Sequence, residues 1–170
     1  MMRSGITDSR SQFHRGFTLV ELMIVVVILS ILVGIGYPSY QNSIIKSKRS
    51  LARAALSDFV SRQESFYLDR KQYAQTPQAL GYPNNTIIIG SDGQIKNTGT
   101  VTSDTVYALN LGSSTALDAV DPNLPATGPR GYTIRATPQN SQANDTDCGQ
   151  LAMTNNGKKV ASGTNNSNCW

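Results

Sequence analysis

The 170-residue sequence predicts an α+β fold: a long N-terminal spine helix packed on an antiparallel sheet of about four strands, with a C-terminal disulfide-bounded loop. Three observations predict it. Phe17 to Tyr37 is an apolar run with a single charge, Glu21. Apolar residues then continue at helical spacing beyond Pro38. The last third holds short stretches of alternating apolar and polar residues, broken by turn formers and ending in two cysteines.

As a helix, the 21 residues from Phe17 to Tyr37 would be about 31 Å long, enough to cross the hydrocarbon of a bilayer. A short basic leader precedes them, with Arg3, Arg10 and Arg15 against Asp8. A secretory signal peptide would fit the leader. Its apolar part would be overlong, however, and Gly34-Ile35-Gly36 makes a poor small-x-small cleavage site. A plain membrane anchor would leave Glu21 as an accident, at about 2.5–3.5 kcal/mol for a carboxylate in hydrocarbon. Thr18-x-x-Glu21 has the spacing of a capping box, and an acid in the first helical turn suits the helix dipole. Gly34, Gly36 and Pro38 are the expected helix-break: the glycines weaken the turn, and the proline removes a backbone bond and bends it.

The second half of the helix is amphipathic. Leu51, Ala55 and Phe59 form one row; Ala52, Leu56, Val60, Gln63 and Tyr67 form the next, with Phe66 beside it. This broad stripe is core, the face on which a sheet packs. Lys48, Arg49, Arg53 and Arg62 are expected to stay wet or to snorkel.

Residues 70–104 read as a connecting region, with turn formers over 75–83, a short strand candidate at Thr86–Ile89 and a turn at Ser91-Asp92-Gly93. Three stronger strands follow: Val106 to Leu111; Tyr132, Ile134 and Ala136 alternating with Thr133, Arg135 and Thr137; and Leu151 and Met153 between Gln150, Ala152 and Thr154. Asn155-Asn156-Gly157 is a hairpin turn into a fourth strand near Lys158–Ala161. Cys148 and Cys169 have no nearby histidine or third cysteine for a zinc site. A disulfide is the better reading, and it implies an oxidising compartment; two free buried thiols are the alternative.

Composition excludes several function classes. The net charge of +4 falls to +2 without residues 1–16, with 12 basic against 10 acidic residues. That is too small to mark a nucleic-acid binder. No catalytic constellation is visible, so no enzyme is expected, and no cofactor or metal. The lone histidine, His14, lies in the leader, and Glu21 and Glu64 are too isolated for acid–base work. Asp145 and Asp147 lack the ligand density of a calcium site and read as turn residues. Lys158 and Lys159 read as solvated residues that blunt a sheet edge; a DNA contact is their second reading, and Gly157-Lys158-Lys159 lacks the rest of a phosphate-binding loop.

Gly16-Phe17-Thr18-Leu19-Val20-Glu21 resembles the processing site of the type IV prepilins, and the likeness continues through "LMIVVVILSILVGIGYPSYQ". The resemblance implies that residues 1–16 are a leader, cut between Gly16 and Phe17 by a membrane aspartyl protease that also methylates the new amine of Phe17. It implies a transmembrane and filament-core helix over 17–40 and a periplasmic or extracellular globular domain over 41–170. It further implies that Glu21 meets the N-terminal amine of a neighbouring subunit, that the segment Gly34–Pro38 loses helicity in a filament, and that an inner-membrane assembly machine supplies the work of extraction.

"Asp147-Cys148-Gly149-Gln150-Leu151", the closing Cys169-Trp170 and "TIRATPQNSQ" resemble most the PilE-type minor pilins. The implied function is that of a minor pilin in pilus assembly, and hence in twitching motility and adhesion. The alternatives are a major fibre pilin, a pilin-like DNA receptor for competence and a type II secretion pseudopilin. Lys46, Lys48, Arg49 and Arg53, which follow the span, oppose the leader in the charge rule for orientation. The processing motif and the disulfide favour a single-pass, N-in precursor in the inner membrane, which becomes extracellular in the pilus.

Overall fold

A computed structural model describes residues 16–170; the rest of the expected leader, His14 included, lies outside the described residues. The chain divides into two units, Met1–Gln41 and Asn42–Trp170.

The first unit is helical from Leu19 onward, within α1 (Leu19–Arg70). Thr18 starts it: its Oγ1 accepts the Glu21 N–H at 3.2 Å and its carbonyl accepts the Leu22 N–H. That is one half of the expected capping box. No residue from Gly16 to Gln41 is buried. In this single chain the expected break is not present: Gly34, Gly36 and Pro38 are all helical. Pro38 lacks the N–H that would bond Gly34, but loss of one bond bends a helix without ending it.

In the second unit the remainder of α1 buries Arg49, Ala52, Leu56, Phe59 and Gln63, alternating steps of three and four that trace one face. Against it lies a six-stranded antiparallel sheet in the order β2-β1-β3-β4-β5-β6. The strands are β1 (Ile87–Gly90), β2 (Ile95–Lys96), β3 (Thr105–Leu111), β4 (Thr133–Pro138), β5 (Leu151–Thr154) and β6 (Lys159–Ala161). The sheet thus has six strands where about four were expected. The additional pair, β1 and β2, is a hairpin inside the supposed connecting region. It is closed by Ser91-Asp92-Gly93, where Gly93 takes φ +76° and its N–H bonds Gly90 O. β1 falls on the short strand candidate at Thr86–Ile89, whereas β2, only two residues long, offers no alternation for a pattern search.

Strand parity sorts the side chains. Ile87, Ile89, Tyr107, Leu109, Ile134, Ala136, Leu151, Met153 and Ala161 join Leu56 and Phe59 in the main core. Ala152 and Val160 point to the opposite face, where Leu117 covers them from α2 (Thr115–Asp118), a one-turn helix capped by Ser114. Gln63 acts as a substitute backbone. Its amide donates to Ala74 O and accepts from Ala74 N–H, both at 2.9 Å, which fixes the chain where it leaves α1.

Candidate functional site

Two regions hold the residues of interest, one in each unit. In the first, Gly16, Phe17, Thr18 and Glu21 line one open hollow. Phe17 is 77% exposed, and the apolar side chains behind it from Leu19 to Tyr40 are exposed as well. Among the described residues Glu21 makes no ion pair. The helix cap thus orients Glu21 in the first turn, on a surface long and apolar enough to cross a membrane. Such a surface is stable only in lipid or against other apolar helices.

In the second unit Cys148 and Cys169 form a disulfide, with both cysteines buried. The segment after β6 runs back along the first cysteine: Gly163 N–H bonds Cys148 O at 2.9 Å, Thr164 N–H bonds Thr146 O and Asn165 N–H bonds Asp147 O. Gly163 is required there, because a Cβ would sit 2.2 Å from Asp147 O. Beneath this loop Arg49 grips Asp145 with two bonds, Nη2 to Oδ1 at 2.6 Å and Nε to Oδ2 at 2.9 Å. Cys148 N–H also donates to Asp145 Oδ1. Gln142 donates to Tyr107 Oη at 3.0 Å and to Ile45 O at 3.2 Å. The Asp145 hydrogen bond raises the pKa of the Arg49 guanidinium, outweighing the desolvation that lowers it.

Lys158 and Lys159 follow the β5–β6 turn, where Gly157 takes φ +77°. Lys158 pairs with Asp121, and Lys159 sits 5.6 Å from the centre of the Trp170 ring. One of the two candidate DNA-contacting charges is therefore already neutralised within the chain.

A family model described as "Type IV minor pilin ComP, DNA uptake sequence receptor" matches residues 38–152, and one for the prokaryotic N-terminal methylation motif matches residues 12–37. The chain belongs to the type IV pilin family. Among its relatives, this pilin is 38% identical over 69 residues to the type IV major pilin protein PilA of Myxococcus xanthus, covering 41% of this chain and 31% of that protein. It is 32% identical over 98 residues to the type IV major fimbrial protein FimA of Dichelobacter nodosus, covering 58% and 62%. It is also 34% identical over 68 residues to the type II secretion system core protein G of Dickeya chrysanthemi, covering 40% and 44%. The matches thus span less than two thirds of these relatives. A type IV pilin from Shewanella oneidensis superposes with a TM-score of 0.43 at 16% identity, over 74% of this chain and 97% of that one.

One sequence expectation about this pilin needs correction and another needs extension. Arg49 neither stays wet nor snorkels; it is buried. Asp145 does serve a turn, its carboxylate accepting the Cys148 N–H, but it is also a buried ion-pair partner, with its side chain 1% exposed. Their separation of 96 residues leaves no local signal. The one available hint was spacing: Arg49 lies three residues before Ala52, in register with the buried face.

Proposed function

We propose that this pilin is a minor subunit of the type IV pilus that acts in pilus assembly, and through assembly in twitching motility and adhesion. The observation that carries the reading is the match of residues 38–152 to a family model described for a minor pilin. The relatives named as major pilins keep the bulk-fibre role as the competing outcome. Quantitative mass spectrometry of sheared pili separates them. A minor subunit should be a small fraction of the fibre protein, and a dominant share would overturn the reading.

In this reading a prepilin peptidase cuts between Gly16 and Phe17 and methylates the Phe17 amine. Other pilin subunits then pack through their N-terminal helices, Glu21 pairs with the amine of a neighbour, and the inner-membrane machinery extracts the subunit. The precursor is single-pass and N-in. Physical chemistry supports the pairing: a carboxylate in an apolar environment is tolerable when a hydrogen-bonded cation neutralises it. Gly34, Gly36 and Pro38 are where helicity would be lost on packing, because they already lack one bond and have the weakest helix propensity of the segment.

The family description favours one further reading, a DNA receptor for competence. The paired state of Lys158 weakens the two-lysine version of it. Salt-sensitive binding of duplex DNA that drops on replacing Lys158 and Lys159 by Ala would support it. Unchanged binding would place the contact elsewhere.

A further inference from the structure

Four basic residues, Lys46, Lys48, Arg49 and Arg53, follow the apolar span, where the charge rule for orientation does not want them. Two are accounted for. Lys48 donates to Ser141 Oγ, and Arg49 is neutralised by Asp145. Among the described residues Lys46 and Arg53 have neither an ion pair nor a hydrogen bond through their side chains. Both line a groove of about 390 Å³, together with Arg49, Asp147, Cys148, Asn165 and Asn168. The volume is that of a small-ligand site.

The pattern of charge in the groove is specific. Lys46 and Arg53 lie seven residues apart on one helical face, about 10.5 Å along the axis, a gap that their long side chains can close onto one anion. The amides of Asn165 and Asn168 add neutral donors or acceptors on the tail side. Asp147 contributes a carboxylate that forms no ion pair among the described residues. The hydrogen bond that Asn165 N–H donates to Asp147 O keeps the backbone of Asp147 beside that of Asn165. The groove therefore offers two cations and one anion, a set that matches a zwitterion better than a simple anion. A DNA duplex calls for a stripe of several cations, and Asp147 would repel its phosphates.

We infer that this groove binds a phosphoethanolamine group. Its phosphodiester sits between Lys46 and Arg53, and its ammonium donates to Asp147. Two sources carry this chemistry: a phosphatidylethanolamine headgroup of the membrane that holds the precursor, and soluble glycerophosphoethanolamine. Lys46 lies only nine residues after Tyr37, the end of the apolar run, which favours the lipid. The inference rests on membrane residence of the chain and not on filament assembly.

The test uses the full chain in maltoside micelles doped with phosphatidylethanolamine, phosphatidylcholine or phosphatidylglycerol, with retained lipid read by native mass spectrometry. Phosphatidylethanolamine should be retained over phosphatidylcholine, whose quaternary ammonium has no N–H to give Asp147. Lys46→Ala with Arg53→Ala should weaken retention roughly tenfold or more, the scale of one lost charged hydrogen bond. Lys46→Arg with Arg53→Lys, which preserves charge, should keep it. Asp147→Asn should abolish the preference between the two zwitterionic lipids while phosphate binding persists. A parallel titration with glycerophosphoethanolamine in undoped micelles separates the sources, since saturation there at matching affinity assigns the site to the soluble compound. Equal retention of all three lipids, retention unchanged by the double alanine variant, or a duplex DNA that binds at Lys46 and Arg53 while no lipid does, would each overturn the inference.

Discussion

Arg49 and Asp145 show how one pair can hold two distant parts of a fold. Asp145 accepts from Arg49 on α1 and from the Cys148 N–H, so the disulfide loop is tied to the helix through one carboxylate. Asp145→Ala would leave a buried, uncompensated guanidinium and should cost about 3–5 kcal/mol. Asp145→Asn should cost about as much, because it too leaves the guanidinium without a counter-charge and its amide NH2 would face the Arg49 Nε–H and the Gln142 amide in place of Oδ2. Urea denaturation of the oxidised chain in mild detergent, at unchanged slope, measures both; a clearly smaller cost for Asn would mean that hydrogen bonding, and not charge, is what matters. Tyr107, Tyr82 and Tyr132 carry a second residue-scale consequence. Burial is the leading cause that pushes the Tyr107 hydroxyl up to about 12, and the other two hydroxyls are raised in the same way. A tyrosine with a raised folded-state pKa favours the fold fully below its unfolded value of about 10 and loses that contribution as pH climbs through the folded value. Stability should therefore fall between pH of about 10 and about 12, by on the order of 3 kcal/mol for Tyr107. Alkaline denaturation of Tyr107→Phe alongside the parent checks this, since the variant should show a shallower fall.

At the scale of elements, the tail after β6 depends on one crosslink and one glycine. The disulfide closes a loop across a sequence separation of 21 residues and should contribute about 3 kcal/mol by restricting the unfolded chain. Gly163→Ala forces a methyl group against the Asp147 carbonyl, which is backbone and cannot swing away. The variant should lose about 1–3 kcal/mol, the usual range for overpacking, and should leave more free thiol after oxidative folding. Thiol labelling reads this directly, and full disulfide formation at parental stability would show that the loop can shift. The sheet shows the complementary case. Its β5–β6 turn is robust because Asn155-Asn156-Gly157 supplies the positive-φ residue that the turn needs.

At the scale of the whole molecule, no described residue of the N-terminal unit is buried, and the globular unit builds its own core. That division suits a subunit whose first segment exchanges lipid for the helices of other copies. Glu21→Ala should still be inserted and cleaved but should enter filaments poorly; normal incorporation, read by immunoblot of sheared pili, would refute the pairing. In the same blot Gly16→Ser should leave an unprocessed precursor, and a mature-sized band would move the cut site.

What the sequence by itself determined is whatever local chemistry dictates. Glu21 three residues after Thr18 specifies a helix start, a one-charge run specifies a surface that avoids water, and strand alternation with Gly157 specifies the β5–β6 hairpin. A pair of cysteines with no third ligand favoured a crosslink over a zinc site, and the structure closes it. Only the tertiary structure decided the rest, because it turns on proximity between residues far apart in the chain. Arg49 became buried because Asp145 arrived opposite it, Lys158 lost its free charge to Asp121, and β1 and β2 joined the sheet because β3 offered an edge. Pairing energies depend on separation in space and on the loss of water around both partners, and neither quantity is encoded in a window of neighbouring residues.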